Sequence, residues 1–206
     1  MSKRELLIAT GNEGKLHECR EMLKHLDFSL LSLGDYARIQ PVAEDGVTFS
    51  ENAAAKAAGY ARQTSALTVA DDSGLEVEAL NGAPGVRSAR YLSERASYSG
   101  RIQALLDELA RCDCANRSAR FVCAVAIANA DGSLLSVSTG TCEGRIVTSP
   151  RGSGGFGYDP IFVPNGFEMT FAELPAEVKN QISHRARAFE AAREFLRRLT
   201  ESSSAG

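Results

Sequence analysis

Tryptophan is absent, and histidine and methionine occur only three times each in the 206 residues. The histidines, His17, His25 and His184, make no H-E-x-x-H or other metal spacing, which argues against a histidine-ligated hydrolase. His17 and His25 lie eight apart on one helical stretch and read as surface. Missing too are a G-x-S-x-G elbow, a Walker A loop and the glycine fingerprint of a dinucleotide site with its downstream acid. A basic excess is also lacking: 23 Lys and Arg stand against 26 Asp and Glu, a formal net charge of −3. A non-specific nucleic-acid binder needs surplus positive charge, so any phosphate affinity here must come from local placement of cations. The expected partner is a small anionic molecule, not a polynucleotide.

Long apolar runs are absent as well. The N-terminal MSKRELLIATGN holds a stretch too short for a signal peptide or a membrane span, and no later run is long enough to span. No membrane association and a cytoplasmic location are expected. The five cysteines, Cys19, Cys112, Cys114, Cys123 and Cys142, are odd in number and lack the two-residue gap of zinc or redox motifs. Buried free thiols of a reducing compartment are expected.

What remains is an ordinary globular mix, 44% hydrophobic and 24% charged. Residues 6–9 read as a strand covered on both faces, followed by a glycine loop and a helix whose face is Leu16, Cys19, Met22, Leu23 and Leu26. Helices are predicted over residues 49–62 and 98–109, and a strand over 66–70. Asp71-Asp72-Ser73-Gly74 reads as a turn, and LEVEAL (75–80) as a separate half-exposed strand. NGAPGVRSARY reads as a loop. A hairpin follows, with strands over 119–128 and 134–147 around Asp131-Gly132. Pro175 suits a first helical turn, Ser183 could cap a last helix, and the tail ESSSAG is expected to fray. These alternations predict a single α/β domain over residues 1–206, with a central mixed sheet flanked by helices and two lobes around a cleft.

Four stretches could carry chemistry, and each has a plain structural alternative. In Thr10-Gly11-Asn12-Glu13-Gly14-Lys15, glycines and a helix N-terminus could gather N–H groups on an anion, with Lys15 adding charge. The alternative is a simple strand-to-helix connection. Glu44, Asp45, Asp71 and Asp72, with Glu51 nearby, supply the hard oxygens that magnesium takes; alternatively the Asp-Asp-Ser-Gly group caps itself. In GSGGFGYD (152–159), the glycines suit close approach, and Phe156 and Tyr158 could stack on a base; the alternative is a flexible surface loop. Lys179, Ser183, His184 and Arg185 could meet a phosphate or a base carbonyl, or be solvated surface. Cations at a helix N-terminus oppose its dipole, which an anion among them would explain.

Together, LLIATGNEGK, EDGVTFSENAAAKA, ADDSGLEVEALNGAPGVRSARY, GGFGYDPIF and KNQISHRARA resemble the inosine triphosphate pyrophosphatase family, the dITP/XTP pyrophosphatases, of the Maf/Ham superfamily fold. The resemblance runs from about Leu6 to about Leu199, with the five stretches in order; SYSGRIQALL departs from the asparagines many members carry before the central helix. It implies hydrolysis of ITP, dITP or XTP to monophosphate and pyrophosphate, a Mg2+ cofactor held by Glu44 and Asp72, and a homodimer. Asp72 would also accept the proton. Thr10, Gly11, Asn12, Glu13, Gly14 and Lys15 would hold the triphosphate, and Ser73 would touch the substrate. Phe156, Gly157, Tyr158 and Asp159 would enclose the base, with Lys179, His184 and Arg185 completing the contacts. The other readings are a Maf-like pyrophosphatase for another modified nucleotide, and a nucleotide-binding sensor without turnover.

Overall fold

The computed structural model describes residues 3–112 and 115–203. Its strands are β1 (Arg4–Ile8), β2 (Phe28–Ser32), β3 (Leu67–Val77), β4 (Ser118–Ala128), β5 (Leu134–Ile146) and β6 (Phe162–Pro164). The helices are α1 (Glu13–Leu23), α2 (Phe49–Thr64), α3 (Tyr98–Arg111), α4 (Ala176–Ile182) and α5 (His184–Ser203). One mixed sheet has the order β2-β1-β3-β4-β5-β6. β1 runs parallel to β2 and β3, while β5 and β6 are antiparallel. The mixed α/β sheet expected from sequence is present. Among the described residues no helix is long and apolar enough to cross a membrane.

The chain forms two compact units, residues 3–72, 123–140 and 185–203 in the first and 73–122 and 141–184 in the second. In the first, strand alternation sends Leu6, Ile8, Leu67, Val69, Cys123, Val125 and Ile127 to one face of the sheet. Cys19, Met22 and Leu23 of α1 and Phe189, Ala192 and Leu196 of α5 pack there. Leu7, Ala70, Ala124 and Ala126 are buried on the opposite face, as a sheet covered on both sides requires. α2 opens with a reciprocal capping box: Glu51 N–H donates to Thr48 Oγ1 (3.2 Å), and Thr48 N–H donates to Glu51 Oε2 (3.1 Å). Glu51, counted by sequence among the acids, is thus a helix cap.

In the second unit, α3 places Ile102, Leu105, Leu106 and Leu109 in a core with Leu75, Val77, Phe121, Phe162 and Phe171. This is the apolar face expected from its spacing. Ser97 caps the helix by accepting from Gly100 N–H (3.2 Å).

Several expectations are corrected. Asp71-Asp72-Ser73-Gly74 is not a turn but the middle of β3, which runs unbroken from Leu67 to Val77. LEVEAL therefore begins inside that strand, and its end, Glu78–Leu80, is a 3-10 turn. NGAPGVRSARY holds a 3-10 segment, Gly85–Arg90. Of the cysteines, Cys19, Cys123 and Cys142 are buried free thiols, but Cys112 is exposed beyond α3, and Cys114 lies outside the described residues. Helix continues into the tail as far as Ser203, and residues 204–206 lie outside the description.

Leu105 is fully buried within the second core. Leu105→Ala should lower the unfolding free energy by about 2–5 kcal/mol, read as a shifted urea midpoint with an unchanged slope.

Candidate active site

Successive side chains of a strand point to opposite faces, so the two neighbouring carboxylates of β3 face different helices. Asp71 follows Val69 onto the α1 and α5 side. Its Oδ2 lies 3.1 Å from Lys15 Nζ and 3.2 Å from Arg185 Nη2. Arg185, 1% exposed, also binds Glu18 through its other terminal nitrogen. Cys123 Sγ lies 3.9 Å from the same Asp71 oxygen. Burial alone would push the Asp71 carboxyl up, but Lys15, Arg185 and Lys56 together outweigh it and hold it well below the usual carboxylate range. Burial would likewise lower the Lys15 ammonium, yet Asp71 leads the opposing charges and raises it. The Cys123 thiol is pushed up by burial and by Asp71, which makes it an inert thiol.

Asp72 follows Ala70 onto the other face, where α2 answers it. Asn52 Nδ2 donates to Asp72 Oδ2 at 3.0 Å. Lys56 Nζ lies 3.7 Å from Asp72 Oδ1 and 2.8 Å from Glu44 Oε2. Burial pushes the Asp72 carboxyl up, against the pull of Lys56, Lys15 and the Asn52 hydrogen bond. Two adjacent aspartates thus carry opposite shifts, Asp71 downward and Asp72 upward.

Glu44 and Asp72 already share one cation, the Lys56 ammonium, and their oxygens are the hard donors magnesium requires. Among the described residues no group of three or more His, Cys, Asp or Glu gathers as a metal cage. A pair of carboxylates fits an ion that leaves its other positions to water and phosphate.

The Thr10–Lys15 loop is ordered by its own side chains. Thr10 Oγ1 accepts from Asn12 N–H (3.2 Å), and Asn12 Oδ1 accepts from Lys15 N–H (3.0 Å), capping α1. Glu13 stands in the first turn, where the helix dipole favours an acid. A Cβ at Gly11 would meet nothing within 4 Å, so backbone there is open to approach.

The second unit holds its own polar group. Asp159 is 3% exposed, accepts from Phe156 N–H (2.8 Å) and forms an ion pair with Lys179. The Lys179 ammonium lies 4.7 Å from the centre of the half-buried Phe156 ring. A Cβ on Gly155 would fall 2.1 Å from the Asp159 carboxylate, and its φ of +65° also favours glycine. The glycine-rich stretch is therefore wrapped on Asp159, not loose. Tyr158 is a core residue: its hydroxyl donates to Ser88 O (3.0 Å), and its ring meets Tyr98 edge-on at 5.8 Å. Its faces are not open for stacking. Ser73 lies within β3, just past Asp72.

α4 ends at Ser183, whose extended backbone breaks the helix before α5, so Lys179 and Ser183 do not share one continuous helical face. His184 and Arg185 are buried, not solvated surface; the His184 ring stacks on Phe121 with centroids 4.7 Å apart. In the first unit the predicted Lys15 and Arg185 therefore meet on Asp71, while Glu44 and Asp72 meet at Lys56 on the other face. In the second, Phe156 to Asp159 join Lys179, with His184 on the Phe121 ring. Sequence reasoning passed over Asn52, Lys56 and Glu18. For the first two a signal existed: both interrupt the buried alanine stripe of α2, four residues apart.

The Asp71 shift sets an acid limit on stability. A depressed folded pKa contributes stability that is full above the unfolded value, ~3.9, and is lost as pH falls through the folded value. Asp71→Asn should cost about 3–5 kcal/mol at pH 7, because Lys15 and Arg185 lose their countercharge. Its stability should then decline less steeply than the parent's below about pH 4. Urea unfolding of metal-free protein at stepped pH checks both signs.

Comparison with known proteins identifies the family. The sequence pattern of the Ham1 family matches residues 6–195. A dITP/XTP pyrophosphatase of Desulforamulus reducens is 45% identical over 195 residues, covering 95% of this chain and 96% of its own. One from Geobacter sulfurreducens is 47% identical over 191 residues, covering 93% and 96%. A solved HAM1 protein from Coxiella burnetii superposes with a TM-score of 0.85 at 40% identity, covering 94% of this chain and 98% of that one. The nucleoside-triphosphatase, dITP/XTP pyrophosphatase, of Mycobacterium abscessus gives 0.73 at 40% identity, covering 91% and 98%. The match spans nearly the whole of both partners in every case, and the chain belongs to the Ham1 family.

Proposed function

We propose that this protein hydrolyses deaminated purine nucleoside triphosphates, ITP, dITP and XTP, to the monophosphate and pyrophosphate. The relatives named dITP/XTP pyrophosphatase support the reaction. The observation that carries the site is the division of Asp71 and Asp72, one fixing Lys15 and Arg185, the other beside Glu44.

In this reading Glu44 and Asp72 hold Mg2+, which when bound supplies charge neutralisation and polarisation at the phosphates. Lys15 and the N–H groups after Thr10 receive the triphosphate and stabilise the charge that grows on it. Asp71 holds the Lys15 ammonium in place for that task. Asp72 accepts the proton of the attacking water; an ordinary aspartate, with a pKa of ~3.9, is a feeble base toward free water, so the transfer would come late, as the bond to phosphorus forms. Water attacks the α-phosphorus in line, the bond to the bridging oxygen breaks, and pyrophosphate leaves.

The base is assigned to Phe156, Gly157, Lys179 and His184, with Asp159 and Tyr158 shaping the segment that carries them. Inosine and xanthine present a 6-carbonyl acceptor where adenine presents an amino donor. A pocket of donors suits the first and leaves a polar clash with the second. Arg185, engaged by Glu18 and Asp71, serves chiefly by fixing Asp71. A cytoplasmic homodimer completes the proposal.

Pyrophosphate release with Mg2+ should be far faster from ITP, dITP and XTP than from ATP, GTP or modified pyrimidine triphosphates. Asp72→Asn should still bind ITP while turnover drops about 10²–10⁴-fold. Unchanged turnover in that variant would remove Asp72 from the mechanism, and preference for a modified pyrimidine would favour a Maf-like enzyme.

A further inference from the structure

Glu44 comes from a loop, and Asp72 from the middle of a strand. A metal site built from both needs something that fixes the loop to the strand. Residues 40–46 lie along α2 and are tied to it at both ends. At the first end the Gln63 side chain pairs reciprocally with the Gln40 backbone: Gln40 N–H donates to Oε1 (2.7 Å), and Nε2 donates to Gln40 O (3.1 Å). At the other end Gly46 N–H donates to Asn52 Oδ1 at 2.8 Å. Between the ties, a Cβ on Gly59 would fall 2.7 Å from Val42, so the glycine lets the loop lie close on the helix.

Asn52 is 1% exposed, and both ends of its amide are used. Chemistry fixes which way the amide faces. A backbone N–H can only donate, so the atom facing Gly46 is the oxygen, and the NH2 is left to face Asp72. That NH2 donates to Asp72 Oδ2, leaving Oδ1 as the oxygen beside Lys56, whose ammonium also meets Glu44. A single side chain therefore sets the rotation of one carboxylate and the loop end two residues after the other.

We propose that Asn52 is a positioning residue for the metal pair, one amide holding Asp72 and the Glu44 loop in mutual register. The inference rests on reading Glu44 and Asp72 as the metal ligands. Partners of this kind orient metal ligands, and their loss typically weakens affinity about 10–100-fold.

The test is Mn2+ binding to nucleotide-free protein, followed by electron paramagnetic resonance. Asn52→Leu, of similar volume, and the smaller Asn52→Ala both remove the donor to Asp72 and should weaken Mn2+ binding at least about tenfold. Glu44→Gln reports on the ligand reading itself. Val69→Ala, a truncation in the same strand and core, reports on general loosening. Weakened binding in the Asn52 variants with near-parental binding in Val69→Ala supports the proposal. Should Glu44→Gln weaken binding while folded Asn52 variants do not, the positioning role is wrong and the ligand reading stands. Should Val69→Ala weaken it as much as the Asn52 variants, Asn52 is merely structural. Should Glu44→Gln leave binding unaltered, or the parent bind no Mn2+ saturably, the ligand reading itself fails.

Discussion

The alternation of a β-strand governs this site. Asp71 and Asp72 are neighbours on β3, yet their side chains leave opposite faces of the sheet and meet different helices. Burying a carboxylate costs several kcal/mol unless opposite charge and hydrogen bonds answer it. Each face supplies that answer from a separate part of the chain: Lys15 of α1 and Arg185 of α5 for Asp71, Asn52 and Lys56 of α2 for Asp72. The same two residues thus dock three helices and assemble the chemistry. Slipping β3 by one residue would exchange the two faces and leave each carboxylate without its partners.

The two environments differ in kind, and that difference suits the roles proposed for them. Around Asp71 the cations outweigh burial, so it stays ionised and works as a fixed anchor for Lys15 and Arg185. Around Asp72 burial outweighs the cations and the Asn52 hydrogen bond, so its affinity for a proton rises. An anchor must not change its charge during turnover, whereas a proton acceptor must.

Much of the fold was legible because it rests on local periodicity. The α3 face, the buried β1 run and the Asp131-Gly132 hairpin all follow from spacing alone. Asp71 to Gly74 misled for a physical reason: Asp, Ser and Gly favour turns when isolated, and the cations that hold them in a strand are far away in sequence. Arg185 meets Asp71 across 114 positions and Glu18 across 167, a pairing that no local pattern encodes. The glycines of residues 152–157 signalled close approach correctly but not what approached. At Gly155 it is the Asp159 carboxylate of the same segment. Tyr158 shows the opposite case, an aromatic whose ring suggested a stacking face for a base and whose hydroxyl instead reaches Ser88 within the core.

The plain composition of α2 follows from the same constraint. Its buried stripe is mostly alanine, with Ala53, Ala57 and Ala61 fully covered. Small side chains let the helix approach closely enough for a short amide at Asn52 to reach Asp72 directly. A longer neighbour, Lys56, extends one turn further to serve both Asp72 and Glu44. Bulkier residues in the stripe would move the helix outward by an ångström or more, beyond hydrogen-bond range for the asparagine. The alanines thus act on function through distance alone, and the two polar residues among them mark which face of the helix the strand's carboxylate must meet.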